Sequence, residues 1–167
     1  MSEISKKWLR GCALTVLPLI MLSIPVVAEA DITGKIVRVL DGDTVEILAG
    51  NVATRVRLNG IDAPEKAQPF GQRSRQALTA IVSGKTVLAV GERRDRYGRL
   101  LATLILNGRD VNAMQVYSGM AWAYRYQGNA SVPAYLRFEQ EAKTARRGLW
   151  AEKEAIEPSI WRREHRQ

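Results

Sequence analysis

Asp41-Gly42-Asp43-Thr44 and Asp62-Ala63-Pro64-Glu65 put several carboxylates near two strand ends of a chain whose formal charge is +8. Acidic clusters in so basic a chain suggest a cation site set in a surface that attracts polyanions. Arg57 lies between the two stretches, and Asp95-Arg96-Tyr97-Gly98-Arg99 supplies a second arginine in a tight turn. Oxygen ligands for a hard cation, a carboxylate to activate water and guanidinium forks for phosphate oxygens are the parts that phosphodiester cleavage requires. Its transition state gathers negative charge on the equatorial oxygens, where two guanidiniums and a divalent cation neutralise it.

These groups need a scaffold that brings them together. Gly34 to Leu40 and Thr44 to Leu48 alternate as strands around the Asp41-Gly42-Asp43 turn, forming a hairpin. Gly50-Asn51 turns the chain into a third strand, Val52 to Asn59, with Arg55 and Arg57 on the face opposite Thr54, Val56 and Leu58. Thr86 to Val90 and Leu100 to Leu106 add two more strands, the latter closed by Asn107-Gly108. Phe70, Ser74, Ala77, Leu78 and Ile81 recur at helical spacing, with Gly84 as the stop. A short helix is expected over Val111 to Ser118, and a third carries Tyr135, Phe138, Ala142, Ala145 and Leu149. The fold class is therefore α+β: a five-stranded, strongly curved OB-type barrel with about three helices, a helix lying between strands three and four. Residues 151–167, rich in Glu, Pro and Arg, read as an irregular basic tail.

The first thirty residues stand apart. Lys6, Lys7 and Arg10 precede an apolar run from Gly11 to Val27, and Ala28-Glu29-Ala30 has the small-x-small form of a cleavage site. This reads as a secretory signal peptide over 1–30, and the expected location is secreted or periplasmic. An uncleaved anchor is the alternative, against which Pro18, Pro25 and the cleavage triplet argue. Residues 31–167 hold 22 Lys and Arg against 15 Asp and Glu, so the basic surface persists without the leader. One compact domain over 31–150, monomeric and without stable membrane association once the leader is removed, is the expectation.

Cysteine and histidine usage narrows the chemistry. The only cysteine, Cys12, lies in the leader, and the only histidine, His165, lies near the C-terminus. This excludes an intramolecular disulfide and a thiol nucleophile, and it disfavours histidine acid-base chemistry and histidine-ligated zinc. Carboxylates, arginines and a hard cation are left to do the work.

Leu40-Asp41-Gly42-Asp43-Thr44, Arg57-Leu58-Asn59-Gly60-Ile61-Asp62-Ala63-Pro64-Glu65, Phe70-Gly71, Asp95-Arg96-Tyr97-Gly98-Arg99 and Tyr124-Arg125-Tyr126 resemble, in order and spacing, the staphylococcal nuclease-like (thermonuclease) family from about Gly34 to Trp150. The resemblance implies that Asp43 and Asp62 are calcium-binding carboxylates and that Ala63 adds a backbone carbonyl ligand. It implies further that Glu65 activates the attacking water, that Arg57 and Arg99 grip the scissile phosphate, and that Tyr97, Tyr124 and Tyr126 line the nucleotide site. The substrates implied are DNA and RNA, the products end in 3′-phosphates, and the cofactor is Ca2+. All-oxygen ligands and permissive geometry suit calcium, while ligand type alone leaves magnesium open.

Each element has a plainer reading when taken singly. Asp41-Gly42-Asp43 alone is a surface turn, Arg57 a solvated strand residue, Arg99 a hairpin charge, and Tyr124 with Tyr126 a packing pair. Two other functions fit parts of the chain: an OB module that binds single strands without cutting, and a basic protein that docks an acidic envelope polymer. Paired carboxylates beside a phosphate groove repel the ligand unless a cation intervenes, which favours catalysis over binding alone. Two departures from the family pattern stand out. The segment from Glu65 to Phe70 is short, with Lys66 its only lysine, and Trp161-Arg162-Arg163-Glu164-His165-Arg166 either adds phosphate contacts or is disordered.

Overall fold

The computed structural model describes residues 31–165; the leader-like segment lies outside the described residues. Five strands form the barrel: β1 Ile32–Val39, β2 Thr44–Ala49, β3 Val52–Leu58, β4 Thr86–Arg94 and β5 Leu100–Leu106. Their order is β3-β2-β1-β4-β5, and a parallel pairing of β3 with β5 closes the ring, with Arg57 opposite Leu101. A two-residue strand, Arg109–Asp110, extends β5 at its edge. Closure removes the free edges that an open five-stranded sheet would expose.

Period-two alternation explains which side chains fill the barrel. Val45, Ile47, Val56, Leu58, Leu100 and Leu104 are buried, and Arg55 on the opposite face pairs with Glu46 at 3.0 Å. Each fully buried aliphatic side chain contributes roughly 1.5–3 kcal/mol relative to exposure, so the core rather than surface ion pairs holds the barrel. β4 runs four residues beyond the Val90 end expected from its apolar period. Polar Glu92, Arg93 and Arg94 hide the continuation, yet pairing resumes at Arg93 opposite Leu101 after a register shift.

Helix α1, Gly71–Val82, buries Ser74, Leu78 and Val82 against the barrel and stops at Gly84, whose φ is 70°. Helix α2 spans Val111–Tyr117 and is capped by the Asp110 carboxylate, which accepts from Ala113 N at 2.9 Å. Helix α3 spans Tyr135–Thr144 only. The expected continuation to Leu149 fails because Arg146 turns left-handed, and Leu149 then sits in a separate 3-10 turn, Gly148–Ala151. The tail differs from expectation as well: Pro158–Glu164 forms a fourth helix, α4, entered at a proline whose missing N–H costs nothing there.

α3 is anchored by a buried carboxylate. Glu139 accepts from Ala123 N at 3.0 Å, from Arg125 Nη2 at 2.6 Å and from Lys143 Nζ at 2.9 Å. Burial works against its charge, but the hydrogen bonds from Arg125 and Lys143 prevail and hold its pKa below the ordinary 4.5. Such a group stabilises the fold fully above its unfolded pKa, and the contribution is lost as pH falls through the lower folded value. Glu139→Ala is expected to cost roughly 3–5 kcal/mol at pH 7, because it strands Arg125 and the Ala123 amide. Glu139→Gln is expected to flatten the loss of stability on acidification below about pH 4.5; urea midpoints at pH 7 and pH 4 check both.

Candidate active site

The β1–β2 turn carries Asp43, whose position is fixed by the backbone around it. Asp43 N donates to Asp41 Oδ1 at 3.0 Å, Leu58 N donates to the Asp43 carbonyl at 2.8 Å, and Thr44 Oγ1 donates to Asp43 Oδ1 at 3.1 Å. Gly42 must be glycine for reasons of space: a Cβ there would run into Ser74 Oγ of α1 and lie 2.7 Å from Ala63 Cβ. The Gly42 carbonyl in turn accepts from Gln115 Nε2 of α2 at 2.9 Å, so two helices hold the acidic turn from behind.

The second acidic stretch begins at Ile61–Asp62, which pairs with Trp122–Ala123 as a two-residue ladder. Ala63 N donates to Asp43 Oδ2 at 2.7 Å, stitching the two acidic stretches together across twenty residues. Glu65 follows on a loop closed by Gln68. The Gln68 side chain accepts from Glu65 N at 3.1 Å, Gln68 N donates to the Glu65 carbonyl at 2.9 Å, and a Cβ on Gly71 would collide with that same carbonyl. The Glu65 loop is short, as its sequence indicates, and it is also held.

Arg57 joins the carboxylates. From β3 its Nη1 lies 2.7 Å from Asp43 Oδ2 and its Nη2 2.9 Å from Asp62 Oδ1, while Nη1 also donates to the Ile61 carbonyl at 3.1 Å. Asp43 is buried, and that burial pushes its pKa up to about 8 against the pull of Arg57, with Asp41 and Asp62 adding to the rise. A carboxyl in this position gains most from a positive neighbour. The side-chain donors that Arg57 draws together here, from Asp43 and Asp62, are all oxygen. Among the described residues no group of three or more His, Cys, Asp and Glu forms a metal-ligating cluster. A cation here would therefore take two side-chain carboxylates and complete its shell from backbone oxygen and water, a mixture that a hard, geometrically permissive ion accepts.

A residue that sequence reasoning missed completes the cluster. Arg162 of α4 donates through Nη2 to Asp62 Oδ2 at 2.8 Å, and through Nη1 to Asp62 Oδ1 at 3.2 Å and Glu65 Oε1 at 2.8 Å. Burial disfavours its charge, yet the hydrogen bonds it donates to Asp62 and Glu65 hold its pKa above the ordinary arginine value. Its one sequence signal was membership of the basic Trp161–Arg166 run, which does not say where the run docks.

The remaining predicted residues lie elsewhere. Arg99 is bound within its own turn, with Nε and Nη2 each 2.7 Å from Asp95 Oδ2, and makes no hydrogen bond to Asp43, Asp62 or Glu65 among the described residues. Burial opposes ionisation of Asp95, but Arg99 outweighs it and draws the pKa below 3.8. Tyr97, in the same turn, is 68% exposed, with Arg96 and Arg99 over its ring at 4.9 and 5.4 Å. Tyr126 is also well exposed on a small hairpin with Asn129–Ala130. Tyr124 precedes it outside the strand, half-buried, its N–H donating to the Gly60 carbonyl at 2.9 Å.

Residues 55–152 match the family described as staphylococcal nuclease homologue. Protein ParB of Escherichia coli is 49% identical over 146 residues, covering 82% of this chain and 82% of that protein. A micrococcal nuclease of Shigella flexneri is 41% identical over 153 residues, covering 86% of this chain and 88% of its own. An uncharacterized endonuclease of Haemophilus influenzae is 39% identical over 158 residues, covering 94% and 88% respectively. A barrel that draws two acidic stretches onto one arginine, matched over this length, identifies the chain as a nuclease of the staphylococcal nuclease family.

Proposed function

We propose that this nuclease is calcium-dependent and hydrolyses DNA and RNA, single strands in preference, to products with 3′-phosphates. The observation that carries the reading is the convergence of Asp43 and Asp62 on the Arg57 guanidinium with Glu65 beside them. Glu65 takes a proton from water, whose oxygen forms a bond to phosphorus; the bond from phosphorus to the 5′ oxygen breaks, and that oxygen takes a proton from solvent water to leave as the free 5′-hydroxyl. Arg57 holds a phosphate oxygen and opposes the charge that builds there, and Arg99 does so once it exchanges Asp95 for phosphate. Calcium, held by Asp43, Asp62 and the Ala63 carbonyl, would supply further charge neutralisation on the phosphate. Tyr97, Tyr124 and Tyr126 offer ring faces for the nucleotide.

Easy access to a strand explains the preference for single strands, whose phosphates and bases are both reachable. The apolar run and Ala28-Glu29-Ala30 support export, giving a secreted or periplasmic monomer. Among the described residues no helix is long and apolar enough to cross a membrane. The test follows cleavage of heat-denatured DNA with calcium and with excess chelator, and end-labels the products. Cleavage that requires calcium and leaves 3′-phosphates is the expected result. Undiminished cleavage in chelator, or 5′-phosphate ends, would defeat the reading.

A further inference from the structure

The last described helix does not simply cover the barrel. With the segment that leads into it, it reaches the cluster at two points: the Ile156 carbonyl accepts from Gln68 Nε2 at 2.6 Å, and four residues past buried Pro158 the helix turns Arg162 onto Asp62 and Glu65. Gln68 is the residue that closes the Glu65 loop, so the tail and the base-bearing loop are fixed to one another. A strap serving stability alone would need only the Gln68 contact and the apolar burial. Instead the tail places a guanidinium, two-fifths exposed, against the carboxylates on the side open to solvent.

Charge explains what such a guanidinium does. Asp43, Asp62 and Glu65 are three acidic groups at a place where a phosphodiester must approach, and Arg57 alone balances only one of them. Arg57 Nη2 and Arg162 Nη1 meet on the same atom, Asp62 Oδ1, at 2.9 and 3.2 Å. Two forks directed at one carboxylate oxygen are spaced to share a tetrahedral oxyanion of similar size. Arg99, by contrast, is held by Asp95.

We propose that Arg162 is a further substrate-positioning residue of this nuclease: carried in by α4, it pairs with Arg57 to hold the scissile phosphate and offsets Asp62 and Glu65 as the phosphate approaches. The catalytic part of this inference rests on the nuclease reading above; the binding part does not. Arg162→Ala, Arg162→Lys and the neighbouring Arg163→Ala serve as the set, since Arg163 is an exposed residue of the same helix and removes the same charge.

In calcium, Arg162→Ala is expected to lower kcat/KM by about 10²-fold, chiefly through KM, with partial recovery in Arg162→Lys and on adding free guanidinium ion. Arg163→Ala is expected to change kcat/KM by less than about threefold, as a rim charge does. In chelator, where nothing is cut, binding of a short single-stranded oligonucleotide is followed against salt. Arg162→Ala should weaken it more than Arg163→Ala and flatten the log–log salt slope by about 0.7, the share of one phosphate on a single strand. Equal effects of the two alanine variants, unchanged kcat/KM and salt slope, or faster cleavage on loss of Arg162 would each overturn the proposal. Should Arg162→Ala lower the melting midpoint, Arg162→Gln, which keeps a donor for Asp62, carries the same comparison. A parent chain that fails to cut in calcium would defeat the calcium-nuclease reading, while the oligonucleotide arm would still decide the role of Arg162.

Discussion

Arg57→Ala is expected to lower the rate of DNA cleavage by about 10²- to 10³-fold and, in chelator, to destabilise the fold by roughly 3–5 kcal/mol. The two losses have one cause. Among the described residues Arg57 is the only side chain that bonds both Asp43 and Asp62, at 2.7 and 2.9 Å, and it also satisfies the Ile61 carbonyl. Removing it leaves two buried carboxylates facing each other without a shared counter-ion, and of the two Arg162 reaches only Asp62. A cation bound between the carboxylates takes over that neutralising role, so calcium should restore most of the stability and little of the rate. Chemical denaturation with calcium and with chelator, run beside the cleavage assay, separates the two. A variant equally stable in both conditions would mean that the cation does not bind where Asp43 and Asp62 meet.

Glu65→Ala should behave in the opposite way. The Glu65 side chain is more than two-fifths exposed, its one ion pair among the described residues is with Arg162, and the loop is held by backbone and Gln68 contacts that alanine keeps. Stability should therefore change by less than about 1 kcal/mol, as for other exposed pairs. The rate should fall by about 10²- to 10⁴-fold, the usual contribution of a positioned general base. The decisive measurement is kcat at saturating DNA, paired with a melting midpoint. Loss of activity together with loss of fold would assign Glu65 to the scaffold, and a kcat within tenfold of the parent would assign the base elsewhere.

The barrel was legible because its strands alternate: Thr54, Val56 and Leu58 against Arg55 and Arg57 give both the buried face and the exposed one. Local glycine and polar turns then placed Asp43 and Asp62 at strand ends. What the sequence concealed were features in which tertiary contacts overrule local period. β4 continues through polar Glu92-Arg93-Arg94 because β5 is there to pair with it. α3 stops early because Arg146 turns left-handed, and Gly148, with φ 52°, lies so close to Gly119 that neither has room for a side chain. The seat of Arg162 was the least legible part. Its partners are about a hundred positions away, and a short Glu/Pro/Arg-rich tail has no period to reveal a docking face. The carboxylates needed a counter-charge that Arg57 alone did not supply, and the basic Trp161–Arg166 run was the one signal of where it lay.

The parallel pairing of β3 with β5 sets the earliest point in synthesis at which the enzyme can come into being. Arg57 faces Leu101 across the seam, so a nascent chain that has not yet delivered residues 100–102 has no closed ring to aim the guanidinium. Asp43, Asp62 and Glu65 will already have emerged by then, yet with no wall behind them they are solvated acids on a loose hairpin. Ring closure is thus a prerequisite of competence, and a polypeptide truncated before Leu100 is expected to leave nucleic acid uncut.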